Sequence, residues 1–201
     1  AIDARAPLYD GGICTRIDCV SLGVVVNRDG LRFYDEGEDF WPKRYAIWGR
    51  LVALQPGQIA YSIIDSKAVG RFMPPVFPGV VADTLPELAR KLQLPVDTFM
   101  QTLHNYNAAC REGTFDHTAL DDCHTDGVNP AKTHWARPID TGPFYGYAVR
   151  PGVTFTYLGL KTDDPPEFQR HFLDICREIA AARPTAVNLF WALDRMQMLA
   201  Q

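Results

Sequence analysis

The 201-residue sequence lacks the short signatures that mark a self-contained catalytic or nucleotide site. None of the patterns GxGxxG, GxxxxGKS/T, GxSxG and HExxH occurs, which excludes a standard dinucleotide loop, a P-loop, a hydrolase nucleophile elbow and a zincin helix. No run approaches the roughly 20 apolar residues that a membrane-spanning helix needs. The opening residues, AIDARAPLYDGG, have neither a basic nor an apolar segment, so they do not predict a signal peptide.

Disulfide patterns and basic clusters are also missing. The five cysteines are odd in number and form no CxxC pair (Cys14, Cys19, Cys110, Cys123, Cys176). We therefore expect reduced thiols and a cytoplasmic protein. The net charge of -4, without a Lys/Arg cluster, disfavours a nucleic-acid surface. With 47% apolar and 22% charged residues, the composition is typical of a globular protein.

One loop-like segment, residues 114–143, contains residue types that bind metals: three histidines, several aspartates and Cys123. Their spacing matches no zinc pattern. We therefore predict a hydrogen-bonded loop here, and no metal site.

The first third of the chain predicts strand, turn, strand and helix. Residues 20–26 (VSLGVVV) are typical of a buried strand, 27–30 (NRDG) of a tight turn, and 31–34 of a returning strand. A helix is predicted to begin at residues 40–42 and to end near 54, before Gln55-Pro56-Gly57. Residues 59–64 (IAYSII) predict another strand.

The remainder predicts two helices, a strand and two further helices. The helices are expected at residues 85–93 and 97–113, the second with Asp97 as its N-cap and Gly113 just beyond its end. Residues 144–160 have β character. Residues 165–182 form an amphipathic pattern, and a last helix follows Arg183-Pro184. Strands mixed with clustered helices indicate the α+β class.

The stretch RFYDEGEDFWPKRYAIWGR, residues 32–50, places four acids directly before two adjacent bases. Acids before a helix and bases within it complement the helix dipole, which is typical of an ordinary solvated helix start. The alternative is that one of the bases, Lys43 or Arg44, takes part in chemistry.

The second alternative is strengthened by a resemblance. The motifs VNRDGLRFYDE and IAYSIID, the helix pair LPELARKLQLPVDTFMQTLHNYNAACREGTFD and the strand PFYGYAVRPGVTFTYLGLKTD resemble the fumarate reductase/succinate dehydrogenase flavoprotein family. The resemblance covers residues 1–163 and implies the capping (substrate) domain of that family, with short flanks of its FAD domain. Residues 164–201 would form a separate helical tail.

Within the family, GEDFWPKRYAIWGR, KTHWARPIDTGPFYGY and RPGVTFTYLGLK are most similar to FAD-dependent tricarballylate dehydrogenases. The resemblance implies oxidation of a small tricarboxylate, or a related dicarboxylate, with FAD as hydride acceptor. It assigns the proton transfer to Arg44, with Lys43 as the alternative register. A guanidinium pKa above ~12 resists proton loss, so a carboxylate relay is needed, for which Glu36, Glu38 and Asp39 are candidates. FAD is expected in the complete enzyme and not in this chain alone, because the chain has no dinucleotide motif.

The sequence departs from the family pattern at two places. The family's Thr-Glu substrate pair corresponds to Thr15-Arg16, and an arginine in place of the acid suits a third substrate carboxylate, although a surface arginine is an equal alternative. Arg150 is a second candidate carboxylate ligand. Thr154 and Phe155 stand where many relatives carry histidines, so substrate binding there is expected to differ.

The tail has a resemblance of its own. The run RPTAVNLFWALDRM resembles the N-terminal helical region of methylthioribose-1-phosphate isomerases, which implies a sugar-phosphate contact for Arg183. Two further interpretations follow: an inactive fragment that acts as an interaction module or homodimer, and a remnant of such an isomerase. Sizing chromatography and a methylthioribose-phosphate titration distinguish them.

Overall fold

The computed structural model describes residues 1–7, 14–152, 165–182 and 187–199. The chain divides into two compact units, Ala1–Phe155 and Thr156–Gln201. None of the described helices is both long enough and apolar enough to cross a membrane.

The first unit is built on an antiparallel sheet. Its strands are β1 (Ile2–Asp3), β2 (Val24–Asn27), β3 (Ala60–Asp65), β4 (Val80–Ala82) and β5 (Phe144–Arg150). The order is β1-β5-β3-β2, and β4 pairs with β5 at the end of β5 opposite to β1. Every pair is antiparallel. The mixture of this sheet with helices agrees with the predicted class.

Helices cover both faces of the sheet, because alternate residues of each strand point to opposite sides. Val25 and Ile64 pack in a cluster with Trp48 of α1 (Trp41–Ala53). Val24 and Ile63 pack in a second cluster with residues of α2 (Leu85–Lys91) and α3 (Val96–Ala109). All four residues of β2 are buried as a result.

The predicted helices are present, and α1 has nearly the predicted limits, with Pro42 in its first turn. The predicted caps of α3 are wrong. Pro95 is its N-cap, Asp97 lies inside the first turn, and the helix ends before Cys110 instead of reaching Gly113. The reason is that Cys110 pairs with Thr125, so the chain leaves the helix to join the following loop.

The strand predictions are partly wrong. Residues Val20–Leu22 form a short 3-10 turn, and the strand begins only at Val24. Gly23 separates the two, and a Cβ there would lie 2.0 Å from the carbonyl oxygen of Ile63. The predicted returning strand at 31–34 is reduced to one bridge between Val26 and Arg32. Strands β1 and β4 were not predicted, because a strand of two or three residues is too short to show an alternation of apolar and polar residues.

The second unit contains α4 (Pro165–Ala182) and α5 (Val187–Leu199), as predicted. Ile175 and Ile179, which the amphipathic pattern assigns to one stripe, are both exposed, whereas Cys176 is buried. Arg183 and Pro184 lie outside the described residues.

A buried ion pair lies between the sheet and the segment that leads into α1. The Arg32 guanidinium donates to Glu36 through Nε at 3.0 Å and Nη2 at 2.6 Å. The Glu36 carboxylate also accepts the backbone N–H of Val25 at 2.8 Å. Both side chains are almost fully buried. Such a pair need not add net stability, but removal of one partner leaves a buried charge and costs roughly 3–5 kcal/mol.

The fully buried Lys132 fixes the 114–143 loop beside this pair. Its Nζ donates to the carbonyl oxygens of Ser21, at 2.9 Å, and Gly23. Burial lowers the pKa of this amine to about 8. No sequence pattern pointed to Lys132, since a lysine in a polar loop is normally solvated.

We expect the Lys132→Met variant to lose a pH-dependent part of the stability. The pKa of Lys132 is about 8 in the folded protein and 10.5 ordinarily. Between these values the unfolded chain binds more protons, so this group makes the free energy of unfolding rise with pH. The wild type should therefore gain on the order of 2 kcal/mol relative to the variant between pH 7.5 and 10, measured by urea unfolding.

Comparing the variant with the wild type cancels the contribution of the cysteine thiols to the pH dependence of stability, which has the opposite sign. Burial raises the pKa of Cys19 to about 12, which lowers stability at high pH equally in both proteins. Parallel stability curves for wild type and variant would contradict the assignment.

Candidate functional site

The four acids before α1 have four different partners. Asp35 accepts the backbone N–H groups of Gly37, at 2.8 Å, and Thr133, at 3.0 Å. Glu36 belongs to the buried pair with Arg32. Only Glu38 and Asp39 remain for the two bases that follow. Glu36 therefore does not contact Arg44 and is not its relay, contrary to one of the sequence-based alternatives.

The 114–143 loop packs against the segment that carries the four acids. His134 hydrogen-bonds through Nδ1 to the carbonyl oxygen of Gly37 at 2.7 Å. A Cβ at Gly37 would lie 2.2 Å from the His134 carbonyl oxygen, so no larger residue fits without displacement of the loop. Trp135 is held by N–H donation from its indole to the carbonyls of Asp116, at 2.8 Å, and Ala119, at 2.9 Å. The prediction of a hydrogen-bonded loop is confirmed.

Arg44 pairs with the Glu38 carboxylate and donates to the Tyr34 hydroxyl at 3.2 Å. The hydrogen bond to Glu38 raises the pKa of the Arg44 guanidinium. Lys43 projects in a different direction. Its side chain is 64% exposed and its Nζ lies 3.1 Å from Asp39. Both bases therefore contact the segment that leads into the helix, Arg44 through Glu38 and Tyr34 and Lys43 through Asp39.

Arg16 lies against the same end of α1. Its guanidinium pairs with Asp18 and stands over the ring of Tyr45, 5.0 Å from the centroid. Asp18 also accepts the indole N–H of Trp41. Thr15 is buried, and its carbonyl oxygen accepts the Asp3 N–H at 2.8 Å. Arg16 thus contacts Tyr45, the chain neighbour of Arg44, but Arg44 does not line the pocket beside Arg16.

Arg150 has a different environment. It pairs in the sheet with Ile2, which on its other side bridges to Arg16. The Arg150 guanidinium donates to the carbonyl oxygens of Ala6 at 2.7 Å and Pro7 at 2.9 Å. Its donors are therefore partly used within the protein, and it does not line the pocket beside Arg16.

A pocket of about 240 Å³ opens beside Arg16 and the first turn of α1. Its charged lining consists of Arg16, Asp18 and Arg71, His117 also lines it, and its aromatic lining includes Trp41, Phe72 and Trp135. We call it the Arg16 pocket. The sequence did not single out Arg71, which lies in a segment without a motif, and it suggested His117 only as a metal ligand. No group of three metal-binding side chains is present in the parts of the chain that the structure describes.

The model of one protein family, described as FAD binding domain, matches residues 10–171 of the chain. A 3-oxosteroid 1-dehydrogenase of Mycolicibacterium smegmatis is 29% identical over 166 residues. That match covers 70% of this chain and 28% of the relative, so the chain spans less than a third of the relative's length.

Two solved structures share the fold of the chain. One is a 3-ketosteroid Δ1-dehydrogenase from Sterolibacterium denitrificans, with a TM-score of 0.54, 22% identity and coverage of 82% of this chain and 33% of that one. The other is a 3-ketosteroid Δ4-(5α)-dehydrogenase from Rhodococcus jostii, with a TM-score of 0.50, 24% identity and coverage of 72% and 28%.

A short match to a different family also occurs. A methylthioribose-1-phosphate isomerase from Geotalea daltonii is 39% identical over 63 residues, which cover 31% of this chain and 18% of the isomerase. Arg183, to which the resemblance assigned a sugar-phosphate contact, lies outside the described residues, as do Thr154 and Phe155.

We expect Asp18 to hold the Arg16 pocket together, because its carboxylate is shared by Arg16 and Trp41. Asp18→Asn should lower the free energy of unfolding by about 1–3 kcal/mol, since charged hydrogen bonds are lost. Asp39→Asn is the matched control: it breaks an exposed pair with Lys43 and should cost less than about 1 kcal/mol. Equal shifts in the urea midpoints of the two variants would contradict this role for Asp18.

Proposed function

The chain belongs to the FAD binding domain family, and from this premise we propose that it is the substrate-binding cap of an FAD-dependent dehydrogenase. The substrate is a small tricarboxylate, with tricarballylate, which is oxidised to cis-aconitate, as the best candidate, or a related dicarboxylate. The proposal extends beyond the family membership, since the chain spans only part of the length of its relatives.

The observation that carries the choice of substrate is the set of cations in the Arg16 pocket. Arg71 offers a planar guanidinium that binds carboxylates in a bidentate manner, Arg16 carries a second guanidinium whose Nε and Nη2 donate to Asp18, and His117 adds a ring nitrogen. Arg71 donates through Nε to the Lys67 carbonyl at 3.0 Å, which orients its side chain. The relatives are named as steroid dehydrogenases. A steroid favours a mostly apolar pocket with few polar groups. The lining here is also largely apolar, and the two guanidinium groups of Arg16 and Arg71 are the feature that supports an acidic substrate.

We assign the proton transfer to Arg44. Its contact with Glu38 supports a relay in which the guanidinium gives a proton to the Glu38 carboxylate and the resulting neutral guanidine nitrogen takes the proton from the substrate carbon. A raised guanidinium pKa makes Arg44 unsuitable as a free base and requires such a partner. Asp39 is engaged with Lys43, which leaves Glu38 as the relay. Thr15 and Arg16 are proposed to position the substrate directly, and Arg150 indirectly, through its sheet partner Ile2, which bridges to Arg16.

The N-termini of α1 and α3 do not provide a cradle for the FAD pyrophosphate. Such a cradle uses free N–H groups at a helix N-terminus behind a glycine-rich turn. Pro42 occupies the first turn of α1 behind Glu38 and Asp39, and α3 begins with Asp97 in its first turn. The lack of an N–H on Pro42 and the negative charge of the nearby carboxylates both disfavour the binding of a phosphate group. In the complete enzyme FAD would accept the hydride, and we propose that residues other than the described ones hold it.

We expect this chain alone not to bind FAD. Addition of FAD should leave the melting temperature unchanged, and the flavin should separate from the protein on gel filtration. A yellow protein peak with a stoichiometric flavin absorbance at 450 nm, on the order of one FAD per chain, would contradict the proposed division of roles.

We expect tricarballylate, but not 4-androstene-3,17-dione, to bind the chain. In isothermal titration, Arg16→Gln should weaken tricarballylate binding about 10-fold or more, because a guanidinium–carboxylate pair contributes roughly 1.5–3 kcal/mol. Arg44→Gln should change binding by less than about threefold, since Arg44 is assigned to proton transfer and not to affinity.

Lys43→Gln serves as the control, because Lys43 is exposed and its ion pair is with Asp39. Steroid binding with no response to tricarballylate, or equal affinities for wild type and Arg16→Gln, would exclude the tricarboxylate assignment.

A further inference from the structure

The hydrogen-bonding capacity of the Arg137 guanidinium is only partly used within the described part of the chain. Its Nε and Nη2 atoms are buried and have no hydrogen-bond partner there. Burial lowers the pKa of its guanidinium. Buried guanidinium donors without acceptors are rare in proteins and call for an explanation. A missing ligand is one such explanation.

The carboxylate that most favours the charge of Arg137, that of Asp65, is used elsewhere. It pairs with Lys67 at 2.8 Å and accepts the backbone N–H groups of Asp140 and Thr141, both at 3.2 Å. Asp65 therefore acts on Arg137 only from a distance and does not satisfy its donors.

Arg137 also lies close to a second cation. Its guanidinium stands 3.6 Å from the centroid of the Phe115 ring, and the guanidinium of Arg71 stands 5.4 Å from the same centroid. Arg71 further lowers the pKa of Arg137 by like-charge repulsion. The region around Phe115 is thus positive and would attract an anion.

A second pocket, of about 330 Å³, adjoins Arg137. Its lining includes Arg137, Phe115, Cys110, Cys123, Ala136 and Pro138, and it shares no lining residue with the Arg16 pocket. Burial raises the pKa of Cys110, and that of Cys123 to about 11, so both thiols are neutral at pH 7. The pocket therefore combines mostly uncharged walls with one guanidinium whose hydrogen-bonding capacity is only partly used.

We propose that this second pocket, the Arg137 pocket, binds a small organic carboxylate with an apolar body. The planar guanidinium fork matches a carboxylate in a bidentate manner. The phenyl ring, the proline and the neutral thiols suit an apolar body. Two exposed charged residues lie at the rim: Glu112, which opposes an anion, and Arg111, which pairs with Asp126 at 3.7 Å. The proposal does not depend on the function assigned to the Arg16 pocket.

The test compares benzoate with benzamide, a neutral molecule of nearly the same shape, by isothermal titration on the full chain. Benzoate should bind and benzamide should bind at least about 10-fold more weakly, because only the anion compensates Arg137. Arg137→Gln should weaken benzoate about 10-fold or more, and Arg137→Lys by an intermediate factor. Arg111→Gln should change the affinity by less than about threefold, and Glu112→Gln should increase it slightly.

A second measurement needs no variant. Benzoate should slow the alkylation of Cys110 and Cys123 by iodoacetamide, followed by peptide mass spectrometry, and should leave the exposed Cys14 unaffected. Equal binding of benzoate and benzamide, no binding of benzoate, or no protection of the two thiols would each overturn the proposal. Arg16→Gln should leave benzoate binding unchanged, so failure at one pocket is distinguishable from failure at the other.

Discussion

The buried pair between Arg32 and Glu36 is the constraint on which the rest of the first unit depends. It joins the turn after β2 to the strand itself, because the Glu36 carboxylate also accepts the N–H of Val25. Arg32 in turn donates to the carbonyl of Pro130 at 2.7 Å and stands over the ring of Tyr106 in α3. One ion pair therefore connects the sheet, the segment that leads into α1, the 114–143 loop and a helix on the opposite face.

This arrangement explains how a run of four acids can precede two bases without forming a single charged cluster. The first two acids are directed inward or toward the loop, and the last two are directed toward the bases. Glu36 is almost fully buried, whereas the side chain of Glu38 is 39% exposed. Residues of the same charge two positions apart thus experience very different solvation: Glu36 is part of the buried framework, and Glu38 pairs with Arg44 at the surface.

Much of the fold could be predicted from periodicity and from turn residues. The limits of α1 follow from Pro42 and from the Gln55-Pro56-Gly57 stop, and the turn at residues 27–30 has Gly30 at φ +79°. Contacts distant in sequence could not be predicted. Examples are the pairing of Cys110 with Thr125, which shortens α3, and the burial of Lys132. For the site, the resemblance identified Arg16 and Arg44, whereas Arg71 and Arg137 become notable only when Phe115 brings them together.

The close approach of Gly37 to the backbone of His134 has an evolutionary consequence. Gly37 is buried, and only a hydrogen atom fits at this position without displacement of the loop. Selection acting on this single codon would preserve the contact between the loop and the helix start even if exposed neighbours such as Glu38 changed. Divergence of the pocket could then proceed through its lining residues, with its framework held in place.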